Sequence, residues 1–179
     1  NVTLGSPCSF TDVEAGICWA PEKEYEQGSW GYVGGQPFRP KTRHGTLPAS
    51  DLDIWGTDKD PLFQTRRDGI EAFKADVPDG RYAIYLYLAD LVAAGEKEVL
   101  PYNLGNDAVS TEMGTTVVEV SVNGQQVLPA YDIRKEAGSQ RAVIKKIQTD
   151  ITEGQGLNIE FKALTGKAFL NAIRIVKLD

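Results

Sequence analysis

Positive charge, histidine, cysteine and helical periodicity are all scarce in this chain of 179 residues. Lys and Arg number 19 against 25 Asp and Glu, a net charge of −6. A nucleic-acid backbone calls for a basic face, so nucleic acid is not expected as a partner. No apolar run approaches the ~20 residues of a membrane helix, so no membrane contact is expected either. The single histidine, His44, lies in a proline-rich stretch with no serine-nucleophile motif beside it, which argues against a catalytic triad. Gly31-Tyr32-Val33-Gly34-Gly35 does not sit between a strand and a helix, so it is no phosphate cradle. The acids are numerous, but none is marked out as one of a catalytic pair. The chain is therefore expected to catalyse nothing by itself, with no catalytic residues assigned.

Cysteine is limited to Cys8 and Cys18. With one histidine they cannot complete a four-ligand zinc site. Two readings stay open: a short-loop disulfide in an exported protein, or two unpaired thiols in neighbouring strands, because spacing does not fix Cβ geometry. No cofactor is assigned. Asp51, Asp53, Asp58 and Asp60 beside Trp55 offer oxygens at alternating spacing. They could hold Ca²⁺, although a solvated acidic loop explains them as well. The chain opens at Asn1 without Met and without an apolar leader, and so reads as an excised domain or mature fragment.

Strand patterns fill the space that helices leave. Tyr82, Ile84, Leu86 and Leu88 alternate with Ala83, Tyr85, Tyr87 and Ala89. Both faces are apolar, which predicts a central strand. Gly69 to Asp76 also alternates, and Val77-Pro78-Asp79-Gly80 has tight-turn chemistry, so the two segments are expected to form a hairpin. Val118, Val120 and Val122 lead into Asn123-Gly124, the strongest short hairpin signal. Val127 to Ile133, Ala142 to Ile151, Leu157 to Ala163 and Phe169 to Val176 are further strands. Ala20 to Gln27 holds one helical turn or none. Two long connections remain, Gln36 to Asp53 and Val92 to Gly114, and such loops often carry function. Many short strands, no repeat and no linker predict one all-β domain over 1–179, a two-sheet antiparallel β-sandwich of jelly-roll type.

The aromatics Trp19, Trp30, Tyr32, Trp55, Phe63 and Tyr102 fall in or beside loops. Rigid rings stack on the C–H faces of sugars while Asn, Gln, Asp and Arg bond the hydroxyls, so these residues are candidates for carbohydrate contact. Plugging of the sandwich ends is the plainer use of each. Tyr85 and Tyr87 share the ambiguity, with sheet packing favoured.

Leu62-Phe63-Gln64-Thr65-Arg66-Arg67, Val77-Pro78-Asp79-Gly80-Arg81-Tyr82, Leu88-Ala89-Asp90, Val120-Ser121-Val122-Asn123-Gly124 and Phe169 to Ile175 stand in the order found in one family. The set resembles the malectin domain, a carbohydrate-binding module. Gly28 to Gly35 is similar to bacterial versions appended to glycoside hydrolases of the β-galactosidase kind. The resemblance implies a noncatalytic β-sandwich that binds an oligo- or polysaccharide beside a neighbouring glycosidase domain, in a periplasmic or extracellular setting. Together with the loop aromatics it leads to carbohydrate contact being expected at Trp30, Tyr32, Trp55, Phe63, Gln64 and Asp90. The chain departs from the family in three places. Phe63 replaces a tyrosine, an aromatic pair is replaced by Val92 and Ala93, and no acid stands at Thr165 to Lys167. The rival expectation is a structural domain that packs against the glycosidase with no sugar site.

Overall fold

The computed structural model describes residues 1–42, 45–91 and 116–178. His44, Tyr102, Val92, Ala93 and the Val92 to Gly114 connection lie outside the described residues. The strands are β1 (Val2–Thr3), β2 (Phe10–Asp12), β3 (Ile17–Pro21), β4 (Trp30–Pro37), β5 (Lys41–Thr42), β6 (Gly45–Thr46), β7 (Arg67–Ala75), β8 (Gly80–Leu88), β9 (Val117–Val122), β10 (Gln125–Asp132), β11 (Val143–Ile151), β12 (Leu157–Thr165), β13 (Phe169–Leu170) and β14 (Ala172–Leu178). One short helix, α1 (Ile133–Ala137), and one 3-10 turn, Asp60–Leu62, accompany them.

Two large sheets form a β-sandwich. One runs β11-β8-β14-β1-β3-β2. The other runs β10-β9-β12-β7, with β13 beside the start of β7 and β4 along the length of β7. All of these pairs are antiparallel except β1 with β3. β8 is central, as its two apolar faces require, held by β11 on one edge and β14 on the other. The Asn123-Gly124 hairpin joins β9 to β10, with both turn residues at positive φ (48° and 79°), as a primed turn demands.

The expected hairpin between β7 and β8 does not form. Asp76 to Asp79 carries the chain from one sheet to the other. Both edges of β8 belong to β11 and β14, while β7 pairs with β4, β12 and β13. Turn chemistry reports a reversal of direction, and a reversal serves a sheet-to-sheet crossing equally well. The segment after Ala20 holds no helix; Glu24 instead bridges Tyr32. The helix α1 has no sequence periodicity to reveal it. It is a single turn capped by Asp132, whose side chain accepts from the Lys135 N–H at 2.9 Å.

The faces of β8 bury different things. Tyr82, Ile84, Leu86 and Leu88 meet Val118, Val120, Val122, Ile159 and Phe73 between the sheets. Tyr87 and Ala89 point the opposite way, into a second apolar cluster with Trp19, Ile54, Leu62 and Phe63. Ile54, Leu62 and Phe63 belong to the connection between β6 and β7, which covers the outer face of the sheet like a lid of side chains. Cys8 and Cys18 are both free and exposed, as in the unpaired reading, but only Cys18 is in a strand, β3; Cys8 lies between β1 and β2.

Candidate functional site

The loop-bearing end of the sandwich, where β8 finishes and β7 begins, gathers four of the six sequence-predicted contact residues. Phe63 follows the 3-10 turn, whose Asp60 carbonyl accepts from the N–H groups of Phe63 (2.8 Å) and Gln64 (2.9 Å). That turn drives the Phe63 ring inward, 5.8 Å from the Tyr87 ring, and leaves it 1% exposed. A ring so placed presents no face to a ligand. It fills the outer cluster, with Trp19 set edge-on to Tyr87 at 5.0 Å.

Asp90, 7% exposed, is held by two guanidinium groups. Arg134 Nη2 lies 2.6 Å from Oδ2, and Arg66 Nη1 lies 3.4 Å from Oδ1. Arg66 also pairs with Asp68 at 2.7 Å and lies 4.5 Å and 4.4 Å from the ring centres of Phe38 and Phe169. A carboxylate this buried needs such partners to offset its lost hydration. The network fastens the end of β8 to the start of β7 and to α1.

Trp55 and Gln64 are placed differently. Trp55 is 62% exposed. Its backbone is fixed, with its N–H donating to the Gln140 carbonyl at 2.8 Å and its carbonyl accepting from the Ala142 N–H at 3.0 Å. The Gln140 N–H in turn donates to the Asp90 carbonyl at 2.8 Å. An exposed indole on an anchored backbone can stack without ordering a loop first. Gln64 donates Nε2 to the Leu52 carbonyl at 3.0 Å, which leaves Oε1 as an acceptor.

Trp30 and Tyr32 lie elsewhere. Trp30 pairs in register with Ala75 at the far end of β7, while Pro37 pairs with Arg67 at the loop-bearing end. At the rise of a strand the separation is roughly 26 Å. Trp30 stacks on Phe73 at 6.3 Å, with Lys23 Nζ 4.6 Å from its ring centre. Tyr32 is covered by the Arg67 guanidinium at 3.3 Å, itself held by Glu22 at 2.7 Å. Both rings pack on the inter-sheet core from β4. The glycines of this segment allow close approach and positive φ: a Cβ on Gly31 would lie 2.5 Å from the Lys23 carbonyl oxygen, and Gly35 takes φ +71°. The six predicted residues therefore do not form one site.

The acidic segment has a cation of its own. Lys59 Nζ lies 2.6 Å from Glu14, 3.2 Å from Asp12 and 3.5 Å from Asp58. Glu14 foremost, then Asp12 and Asp58, raise the Lys59 ammonium above the usual lysine range. Asp12 is lowered, first by the Ala15 N–H and further by Lys59. Asp60 accepts from the Ile54 N–H at 3.3 Å. Among the described residues no three acidic, histidine or cysteine side chains converge as a metal cage.

Asn171 is the residue that reading the sequence missed. It is fully buried. Its amide donates to the carbonyls of Phe63 (2.7 Å) and Thr65 (3.0 Å), and its oxygen accepts from the Ala89 N–H (2.9 Å). The signal was an asparagine inside an apolar strand, which must find partners there.

This architecture has known counterparts. A β-glucuronidase 2 of Bacteroides uniformis, solved covalently bound to cyclophellitol-6-carboxylate aziridine, is 30% identical with a TM-score of 0.78; the match covers 99% of this chain and 17% of that one. A further structure of Bacteroides uniformis β-glucuronidase matches at 29% identity and TM-score 0.78, over 99% and 18%. The ANXUR1 extracellular domain of Arabidopsis thaliana shares the fold at 13% identity and TM-score 0.65, over 99% and 41%. The chain thus spans less than a fifth of these β-glucuronidases. No curated relative matches the chain. Among the described residues no helix is long and apolar enough to cross a membrane. Malectin is a carbohydrate-binding domain, an accessory region where it accompanies a glycosidase. The malectin domain matches residues 2–175, nearly the whole length: the chain belongs to the malectin family.

Proposed function

We propose that this domain is the noncatalytic carbohydrate-binding module of a secreted bacterial glycoside hydrolase, holding a glycan near a catalytic domain of the same polypeptide. The observation that carries the reading is the family match over residues 2–175. The β-glucuronidase neighbour supports it, since its matching region is 17% of a much longer enzyme. Tethering raises the effective concentration of substrate at the catalytic domain without new chemistry. At the loop-bearing end Trp55 supplies the stacking face and Gln64 an acceptor, with Arg66, Asp90 and Asn171 holding the frame. Affinity is weak, roughly micromolar to millimolar, as a small wet contact dictates.

A second reading has its own observation. Phe63 is buried and Asp90 is locked between guanidinium groups, while Trp55 and Ile144 are left exposed (62% and 50%). Exposed apolar side chains on an anchored backbone suit docking against a neighbouring enzyme domain. Tryptophan fluorescence during titration with galactosides, glucosides, mannosides and glucuronides separates the two. Binding predicts a saturable change for at least one sugar, reduced in Trp55→Ala and kept in Trp30→Ala. No response to any glycan at concentrations on the order of tens of millimolar would sink the binding reading.

A further inference from the structure

A cleft of about 200 Å³ opens between the N-terminal segment and the turn that precedes β7. Ser6, Cys8, Ser9 and Phe10 line one wall, and Gln64 and Thr65 the opposite one. Neither Trp55 nor Asp90 lines the cleft, but Gln64, the acceptor of the proposed sugar site, does. Its volume corresponds to about seven waters at ~30 Å³ each. That is room for one pyranose ring and too little for two.

The chemistry of the walls is selective. They carry hydroxyls, an amide and one aromatic ring, and no carboxylate, ammonium or guanidinium. Arg39 stands nearby but outside the lining, with Nη1 donating to the carbonyls of Gly5 (2.8 Å), Phe38 (2.9 Å) and Pro48 (3.1 Å). A charged sugar would therefore enter without a counter-ion, which costs free energy. A neutral sugar would not, since it offers C–H faces to a ring and hydroxyls to neutral polar groups.

Thr65 marks the cleft as unfinished. It is 7% exposed, and its hydroxyl has no hydrogen-bond partner among the described residues. Buried hydroxyls nearly always have one. Oγ1 is itself covered, so it reaches a ligand in the cleft only after χ1 moves to another staggered rotamer. Gln64, whose Nε2 donates to the Leu52 carbonyl at 3.0 Å, also lines the cleft. We propose that this cleft is a binding subsite for a single neutral pyranose, seated on Phe10 and hydrogen-bonded by Gln64 and Thr65. The proposal rests on the carbohydrate-binding reading for its ligand class and extends that site from Gln64 into the cleft.

The two thiols make a built-in footprint. Cys8 lines the cleft and Cys18 does not, yet both are free and exposed. Alkylation of the 179-residue chain by iodoacetamide, resolved by peptide mass spectrometry, is followed with methyl glucoside, methyl galactoside, methyl mannoside and glucuronate, beside calorimetric titration. One neutral sugar is expected to slow Cys8 severalfold and leave Cys18 unchanged. Thr65→Val removes only an unpartnered hydroxyl, so its melting temperature should hold or rise while affinity falls about tenfold. Ser9→Trp, placed at the exposed rim, should abolish protection of Cys8 in a folded protein. Calorimetric binding that neither protects Cys8 nor weakens in Thr65→Val would overturn the subsite and leave the module a sugar binder. Stronger binding of glucuronate than of every neutral sugar would overturn the assignment of ligand. Absence of any binding would overturn both this subsite and the carbohydrate-binding reading.

Discussion

The two faces of β8 are closed by different means. On the inner face, strand meets strand: Ile84 and Leu86 interdigitate with valines and isoleucines of the opposite sheet. On the outer face, a loop supplies the cover, and its anchors Leu62 and Phe63 come from a single turn after Asp60. Burial is near complete on both sides, with Ile84 at 0% and Phe63 at 1% exposure. What differs is how far the surroundings can yield. Paired strands are held along their whole length by a hydrogen-bond ladder, whereas a loop is held at a few points and opens locally at lower cost.

Asn171 joins the two systems, so its replacement should have the largest effect. Asn171→Ala strands two carbonyls and one N–H in a dry interior. Destabilisation of roughly 4 kcal/mol is expected in urea unfolding. A loss below about 1 kcal/mol would mean that the clamp contributes little and the loop is held by its apolar anchors alone.

The next pair of variants compares the faces directly. Ile84→Ala should cost about 3–4 kcal/mol and shift the whole cooperative transition. Phe63→Ala should cost about 2–3 kcal/mol, the smaller figure because the loop can settle into the space. Its signature lies in hydrogen exchange: the amides of Ser50 and Gln64, bonded within the loop, should exchange faster, while those of β8 stay protected. Equal acceleration in β8 and the loop would show that the faces form one cooperative unit.

Trp55→Ala sits at the bottom of the scale. The indole is largely in solvent, so stability should change by no more than ~0.5 kcal/mol. A larger loss, read from the midpoint of urea unfolding, would make Trp55 a packing residue and remove its claim as a contact for ligand or partner.

The comparison also explains what could be read from the residues alone. Period-two alternation in Tyr82 to Ala89 revealed a strand dry on both faces, and that strand is central. Asn123-Gly124 revealed its hairpin because only a few residues tolerate the backbone that a two-residue turn imposes. Alternation says that a face is covered, and it does not say by what. The cover of the outer face comes from a stretch with no period, so Phe63 looked available when it is an anchor. Trp30 and Tyr32 looked like loop residues because glycines surround them, yet those glycines let β4 lie close to the 23–25 stretch while its rings turn inward. The Pro78-Asp79-Gly80 turn announced a reversal and could not reveal that the reversal crosses between sheets. Partner choice depends on edges contributed by residues far away in sequence.

That crossing has a consequence for the order of events as the chain folds. The neighbour of β8 in sequence is not its neighbour in the sheet, and both of its partners, β11 and β14, belong to the last quarter of the chain. During synthesis the most apolar strand is therefore made early and paired late. Ladders that close long loops form slowly, and unpaired apolar strands are prone to aggregate while they wait. A ribosome paused before β11 would hold a nascent chain whose middle strand has no mate, a natural client for a chaperone.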